Sequence, residues 1–195
     1  MKDKLISIFE ESARVKIAFA HENVERIKAV VDLIVQAFRS GKKVILFGNG
    51  GSATDASHIA AEFVNRFLID RPPLPAIALN TDPAVVTSIS NDFGFDQIFS
   101  KQLAALGQEG DVVIGISTSG NSPNVIKALE VAKKNGMRTV VLTGGTGGKM
   151  ANLADFTFIV PSKHTPYIQE THITLGHVIC QMVDEALFQG ERSSP

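Results

Sequence analysis

The pattern of hydrophobic and polar positions changes at Gly41. Within residues 1–40, apolar residues recur at helical spacing without a glycine or proline. We predict two helices there. The apolar positions of the first cover about 200° of its surface, about twice the stripe that contact with one core requires. The second follows the three-four alternation of helices packed nearly parallel. This surplus of apolar surface predicts a helix bundle, including one formed between subunits.

After Gly41, short apolar runs alternate with helical segments, which is typical of βα units around a buried parallel sheet. We therefore predict an α/β fold, a doubly wound three-layer sandwich of the flavodoxin-like kind with a five-stranded parallel sheet. Strands rich in Val and Ile are expected at residues 42–47, 75–79, 111–116, 138–143 and 156–160. Helices are expected at residues 52–67, 83–91, 97–106, 123–135 and 167–188.

The same pattern predicts one domain over residues 1–195. Residues 1–40 form the N-terminal helices used in oligomer packing, residues 41–189 form the α/β core, and residues 190–195 form a loose tail. No linker or internal repeat interrupts this organisation, so a second domain is not expected.

Composition and charge exclude several functional classes. Lys and Arg total 19 against 20 for Asp and Glu, so a net charge of -1 offers no general attraction to nucleic acid or an anionic membrane. The single cysteine, Cys180, excludes an internal disulfide and fits a reducing compartment. No apolar run approaches the roughly 20 residues that cross a bilayer, and the first residues do not resemble a signal peptide. We expect a cytoplasmic protein with neither membrane nor nucleic-acid partners.

A glycine-rich loop follows the first strand, at Gly48-Asn49-Gly50-Gly51-Ser52. Glycines let the backbone approach a ligand, so the loop is a candidate cradle for an anion or a polyol. It also matches the dinucleotide fingerprint G-x-G-x-x-A, but the acidic residue expected after the second strand is missing, since Asn80 stands there. We therefore expect no nucleotide cofactor. A glycine turn that serves packing alone is the alternative.

A loop rich in hydroxyl groups follows the third strand, with Ser117, Thr118, Ser119 and Ser122 before a helix that starts near Pro123. Hydroxyls, free backbone N–H groups and the positive end of a helix favour a phosphate there. The loop lacks the Gly-Lys-Ser/Thr ending of a P-loop, so a P-loop NTPase is excluded. The alternative is an ordinary serine-rich helix cap. The glycine run after the fourth strand is assigned no chemistry.

Two segments carry candidate acid, base or metal-binding groups. His58 and Glu62 are four residues apart and share one face of the helix that begins under the first glycine loop. They can form a base, a metal pair or a solvated surface pair. On the last helix, His172 falls on the apolar stripe and is interpreted as a core residue, whereas His177 lies on a different face.

Taken together, these motifs resemble the phosphoheptose isomerase family of sugar isomerase (SIS) domain proteins. The resemblance rests on Gly48 to Ser52, on His58 with Glu62, on Ser90-Asn-Asp-Phe-Gly, on Gly115 to Ser122 and on Gln169 through His177. It implies a homotetramer with active sites near subunit interfaces. It also implies conversion of sedoheptulose 7-phosphate to D-glycero-D-manno-heptose 7-phosphate through an enediol. That step is the first toward ADP- or GDP-heptose for lipopolysaccharide or surface glycans.

The resemblance also implies roles for individual residues. The general base and acid correspond to Glu62 and His177, and one zinc per subunit corresponds to His58, Glu62, Gln169 and His177. Gln169 and His177 lie about 12 Å apart along a regular helix, so one ion would need both side chains extended. The expected substrate contacts, to which we add Ser52 and Arg66, are Asn49, Gly50, Gly51, Ser52, Glu62, Arg66, Asn91, Asp92, Ser117, Thr118, Ser119, Ser122 and Gln169.

Related SIS proteins supply the alternatives. A catalytically silent relative that binds the replication initiator shares Asn65-Arg-Phe and the run from Leu74 but lacks the glutamate and the final histidine, both present here as Glu62 and His177. SIS transcription regulators carry a separate helix-turn-helix domain that an apolar N-terminus does not supply. Isomerases of hexosamine phosphates have different loop sequences. We therefore favour the enzyme.

Overall fold

A computed structural model describes residues 1–188, so the tail expected at 190–195 lies outside the described residues. The strands are β1 (Val44–Gly48), β2 (Ala76–Ala78), β3 (Val112–Ser117), β4 (Arg138–Gly144) and β5 (Phe156–Val160). The helices are α1 (Lys2–Arg39), α2 (Gly51–Val64), α3 (Pro83–Phe93), α4 (Ile98–Leu106), α5 (Pro123–Lys134) and α6 (Thr165–Phe188). Short 3-10 helices span Phe95–Gln97 and Gly148–Asn152.

The five strands form one parallel sheet in the order β2-β1-β3-β4-β5. In its register, Val44 of β1 pairs with Ala76 of β2 and with Val112 of β3. Every residue of β1 and β3 is buried, because helices cover both faces of the sheet. The doubly wound α/β fold expected from the alternating pattern is confirmed.

Alternate residues of each strand pack into two separate cores on opposite faces of the sheet, so the fold is a three-layer sandwich. Leu46 and Ile114 face a core shared with α1, α2 and α6. Ile45 and Val113 face the opposite core, which α4 and α5 cover with help from α3. This alternation follows from the period-two geometry of a strand. The helices α2 and α6, which carry the candidate acid and base, therefore lie on the same side of the sheet.

The prediction of two N-terminal helices was wrong, because α1 is one continuous helix of 38 residues. The two apolar segments of residues 1–40 join without a break in the helix. Asn23 stays within the helix and its side-chain amide donates to the carbonyl of Phe19 at 2.9 Å. The expected surplus of apolar surface is present, since Leu5 and Phe9 are 55% and 77% exposed.

The second helix is shorter than the predicted span of residues 52–67. It ends at Val64, so Arg66 follows the helix instead of continuing the face of His58 and Glu62. The physical reason is Arg71, whose guanidinium donates to the carbonyls of Glu62 and Phe63 at 2.9 and 2.7 Å. These bonds satisfy carbonyl groups that a further helical turn would have used. Within residues 1–188, no helix is both long and apolar enough to cross a membrane.

Candidate active site

The loops after β1 and β3 emerge at the carboxyl edge of the sheet, where ligands bind in doubly wound folds. The loop after β1 leads directly into α2, and the loop after β3 leads into α5. The glycine run after β4 and the first turns of α6 reach the same edge, since β4 ends at Gly144 beside Ile168. The fold thus gathers most of the predicted site segments along one edge.

On one face of the sheet, α2 and α6 bring together three side chains, which we call the His–Glu cluster: His58, Glu62 and His177. The His58 Nε2 lies 3.0 Å from the Glu62 Oε1, as expected for residues four apart on a helix. The His177 Nε2 lies 3.4 Å from the His58 Nε2. The His58 side chain is 47% exposed and that of Glu62 is 23% exposed, so the cluster is open to a ligand.

Close packing between α2 and α6 sets the spacing of the cluster. Gly176 lies against Ile59, and a Cβ added at Gly176 would stand 2.5 Å from the Ile59 Cδ1. Gly176 immediately precedes His177, and Ile59 immediately follows His58. The ring of Phe67 stacks on His177, with centroids 5.4 Å apart and planes inclined by 22°. Any side chain at Gly176 would therefore separate the two histidines.

His172 has the core role that its apolar stripe predicted. Its ring is buried and its Nε2 lies 3.0 Å from the carbonyl oxygen of Thr143. A carbonyl can only accept, so the Nε2 carries the hydrogen and the buried Nδ1, which has no partner among residues 1–188, is unprotonated. Burial lowers the pKa of His172 to about 4. The neutral ring attaches α6 to the end of β4.

The first glycine loop lies under α6. Gly50 has a φ of +56° and directly precedes α2, a conformation that favours glycine. A Cβ at Gly51 would overlap the side-chain amide of Gln169, so this glutamine lies against the loop as well as on α6. Ser52 is buried, with its Cβ close to Gly48. The structure thus brings Gln169 to the predicted cradle.

A pair of amide groups connects the two loops. The Asn49 Nδ2 donates to the Asn124 Oδ1 at 2.9 Å, and the Asn124 Nδ2 donates back to the Asn49 Oδ1 at 2.9 Å. Asn124 is only 2% exposed and belongs to α5. Sequence reasoning missed Asn124, because nothing in its local pattern distinguishes it from an ordinary residue in the first turn of a helix.

In the loop after β3, hydroxyl groups cluster at the start of α5, a helix of 12 residues. The Ser117 and Ser122 Oγ atoms lie 2.8 Å apart, and the Asn121 N–H donates to the Ser119 Oγ at 3.2 Å. Ser119 is exposed and Thr118 is half-buried. Hydroxyls and a helix N-terminus at one point suit a phosphate group.

The glycine run after β4, which was assigned no chemistry, supports this hydroxyl loop. The Met150 N–H donates to the Gly120 carbonyl at 3.0 Å, and the Lys149 N–H donates to the Asn121 Oδ1 at 3.1 Å. A Cβ at Gly120 would overlap the carbonyl oxygen of Gly147. Such a close approach of two backbones explains why glycines occur in both loops.

Three predicted substrate contacts form no hydrogen bond with the His–Glu cluster in the described part of the chain. Asn91 and Asp92 are exposed near the end of α3, where the Asn91 Nδ2 donates to the Asp92 Oδ1 at 2.8 Å. Arg66 is exposed after α2. Their substrate roles stay predictions.

The His–Glu cluster has a donor set that suits a metal ion. Its two imidazole nitrogens and one carboxylate oxygen all lie within 4.8 Å of one another. Ligand atoms around a tetrahedral zinc ion are separated by about 3.3 Å at Zn–N distances of about 2.0–2.1 Å. The separations of 3.0 and 3.4 Å in the cluster are close to that value. The residues present therefore fit a divalent metal.

Comparison with known proteins agrees with this geometry. The SIS domain family profile matches residues 8–144. The phosphoheptose isomerase of Thermodesulfovibrio yellowstonii is 57% identical over 97% of this chain and 94% of its own. That of Aquifex aeolicus is 55% identical, over 95% and 97%. The solved structure of phosphoheptose isomerase GmhA from Neisseria gonorrhoeae superposes with a TM-score of 0.89 at 42% identity, covering 94% of this chain and 98% of that one.

Proposed function

The chain belongs to the SIS domain family and, within it, to the phosphoheptose isomerases, and we propose from this premise how its own residues carry out the reaction. The protein is an isomerase that interconverts the ketose sedoheptulose 7-phosphate and the aldose D-glycero-D-manno-heptose 7-phosphate. The replication-initiator alternative is not favoured, because relatives named as isomerases match nearly the full chain. The observation that carries the proposed mechanism is the His–Glu cluster.

Glu62 is the general base in this proposal. Interconversion of a ketose and an aldose moves one hydrogen between neighbouring carbons through an enediol. The Glu62 carboxylate takes the proton from C1 of the ketose and returns a proton to C2. Its contact with His58 at 3.0 Å supports this role, since that contact orients the carboxylate toward the open face of the cluster.

His177 is the general acid. As C1 loses its proton, negative charge develops on the C2 carbonyl oxygen, and His177 donates a proton to that oxygen. The C1 hydroxyl passes its proton to His177 as the aldehyde forms, which restores the acid and balances the protons over the cycle. The stacked Phe67 ring holds the imidazole in place, which supports a fixed direction of proton delivery.

We assign the phosphate to the hydroxyl loop and the N-terminus of α5. Ser117, Ser119 and Ser122 offer neutral donors there, and the helix end adds a partial positive charge. The Asn49–Asn124 amide pair joins this loop to the first glycine loop, which we assign to the sugar hydroxyls. One rigid frame would then hold both ends of the substrate.

We further propose that the cluster holds one zinc ion per subunit through His58, Glu62 and His177, with Gln169 as a further ligand. When bound, zinc supplies positive charge beside the developing enediol oxygen. Binding of zinc through one carboxylate oxygen of Glu62 would leave the other oxygen free to accept the substrate proton. Binding through the Nε2 of His177 would leave its Nδ1–H to donate to the substrate oxygen. The donor set and its spacing support this assignment.

We propose a homotetramer assembled through α1 and α6. These helices border an apolar groove of about 610 Å³ lined in part by Phe19, Val24 and Val178. Exposed apolar surface of this extent marks an interaction site.

Light scattering should report a tetramer that Val24→Asp dissociates. The control Leu106→Asp, at an exposed apolar site on α4 outside the groove, should stay tetrameric. A wild-type monomer with full activity would contradict the assembly.

The product would supply ADP- or GDP-heptose synthesis, which we place in the cytoplasm.

The proton-transfer roles are tested by Glu62→Gln and His177→Asn, which keep side-chain shape and remove the acid or base. Each should lower kcat at least about 10²-fold while the protein stays folded. The control Glu130→Gln, an exposed residue of α5, should be fully active. Activity of Glu62→Gln near that of the wild type would refute the proposed mechanism.

A further inference from the structure

A buried arginine lies directly behind the His–Glu cluster. The Arg71 side chain is 1% exposed. Its Nη1 donates to the carbonyl of Phe63 at 2.7 Å, and its Nη2 donates to the carbonyl of Glu62 at 2.9 Å. Its Nε donates to the Asp184 Oδ1 at 2.9 Å. One guanidinium group therefore binds both the last turn of α2 and a carboxylate on α6.

These contacts connect the two helices that carry the acid and the base. Glu62 is held through its own backbone carbonyl. Asp184 lies seven residues after His177, which is two helical turns along nearly the same face of α6. A shift of the guanidinium would therefore move Glu62 relative to His177.

The choice of residue type also points to a positioning role. Arginine presents several N–H donors in a rigid planar fork, whereas lysine presents a point charge on a flexible stem. Burial raises the pKa of the Asp184 carboxyl, an effect that the Arg71 guanidinium opposes. A buried ion pair is no more stabilising than well-packed apolar residues in many proteins. Net stability is therefore a weak reason for an ion pair at this position.

We propose that Arg71, with Asp184, is a positioning residue that fixes the geometry between Glu62 and His177. This inference rests on the proposed function, because it assumes that these two side chains exchange protons with the substrate. It concerns kcat more than substrate affinity, since the phosphate and sugar loops are other segments, at the starts of α5 and α2. A small misplacement of reacting groups can cost about 10²-fold in rate.

The decisive variants separate positioning from stability. Arg71→Met leaves Asp184 buried without a partner and should lower both Tm and kcat. The double variant Arg71→Met/Asp184→Leu removes the pair entirely and should regain much of the lost Tm. A positioning role predicts that its kcat stays at least about tenfold low with KM within about twofold of the wild type. Arg71→Lys is the variant of choice if Arg71→Met does not fold, and the same fall in kcat is expected.

A matched control exists at the amino ends of β1 and β3. The Lys43 Nζ lies 2.7 Å from the Asp111 Oδ2, and the Asp111 side chain is 0% exposed. Lys43→Met should lower Tm while kcat per folded molecule is unchanged. Wild-type kcat in the folded double variant, or in Arg71→Lys, would overturn the positioning role. An inactive wild type, or an active Glu62→Gln, would instead overturn the proposed function and this inference together.

Discussion

Replacement of His172 by glutamine should flatten the pH dependence of stability. His172 is buried and neutral, with its Nε2–H donated to the Thr143 carbonyl. A glutamine amide can donate to the same carbonyl, but it does not titrate. The variant therefore keeps the contact between α6 and β4 while it removes the one group in that contact whose charge depends on pH.

The expected size of the effect follows from the lowered pKa. Burial lowers the pKa of His172 from 6.5 to about 4. Between these pH values the unfolded chain binds one more proton than the folded chain, so the free energy of unfolding falls as the pH falls. The whole shift corresponds to roughly 3 kcal/mol, of which about 2 kcal/mol is lost between pH 7.5 and pH 5.

Urea denaturation at these two pH values, at one protein concentration, measures the effect. The wild type should lose about 2 kcal/mol more than His172→Gln on going from pH 7.5 to pH 5. Titration of the other histidines is common to both proteins and cancels in the difference. An equal loss in the two proteins would show that His172 is not buried as a neutral group, and it would refute the way in which α6 is attached to β4.

Three further substitutions test the frame of the site. Ser119→Ala should weaken substrate binding by on the order of 1–3 kcal/mol in calorimetric titrations, because a donor to the phosphate is lost; unchanged affinity would move the phosphate elsewhere. Gly176→Ala should lower kcat by forcing α2 and α6 apart, and Ile59→Ala added to it should restore part of the rate; no loss in the single variant would contradict the close packing. Asn124→Leu should raise KM, because Asn49 loses both amide bonds, and an unchanged KM would exclude that role.

The local pattern of the sequence was sufficient to predict most of the fold. The strand predicted at residues 156–160 is observed with the same bounds, because a short apolar run between polar turns is typical of a buried strand and too short for a helix. The prediction of two helices within residues 1–40 was wrong, since two differently patterned apolar segments can lie on one continuous helix when polar side chains between them, such as Asn23, bond within it. The early end of α2 depends on Arg71, which no helical pattern of residues 52–67 could reveal.

Site residues that contact near neighbours in the sequence could be predicted, whereas those that contact distant segments could not. His58 and Glu62 stand four apart, so their contact follows from helix geometry. His177 lies beside His58 because Gly176 packs against Ile59, a contact between segments distant in the sequence. Only the family resemblance indicated that His177 belongs to the site. Asn124 and Arg71 escaped notice because their partners are distant in the sequence or are backbone carbonyls.

Solvent hydrogen exchange tests proton transfer by Glu62 most directly. Wild-type protein incubated with sedoheptulose 7-phosphate in heavy water should form the aldose with deuterium at C2, and should return ketose with deuterium at C1. Glu62→Gln should form neither labelled sugar at a comparable rate, whereas Glu130→Gln should match the wild type. Equilibration of the two sugars by the wild type over many turnovers with no deuterium in either would show that the hydrogen never passes through an exchangeable group, as in hydride transfer between the carbons, and would contradict the account.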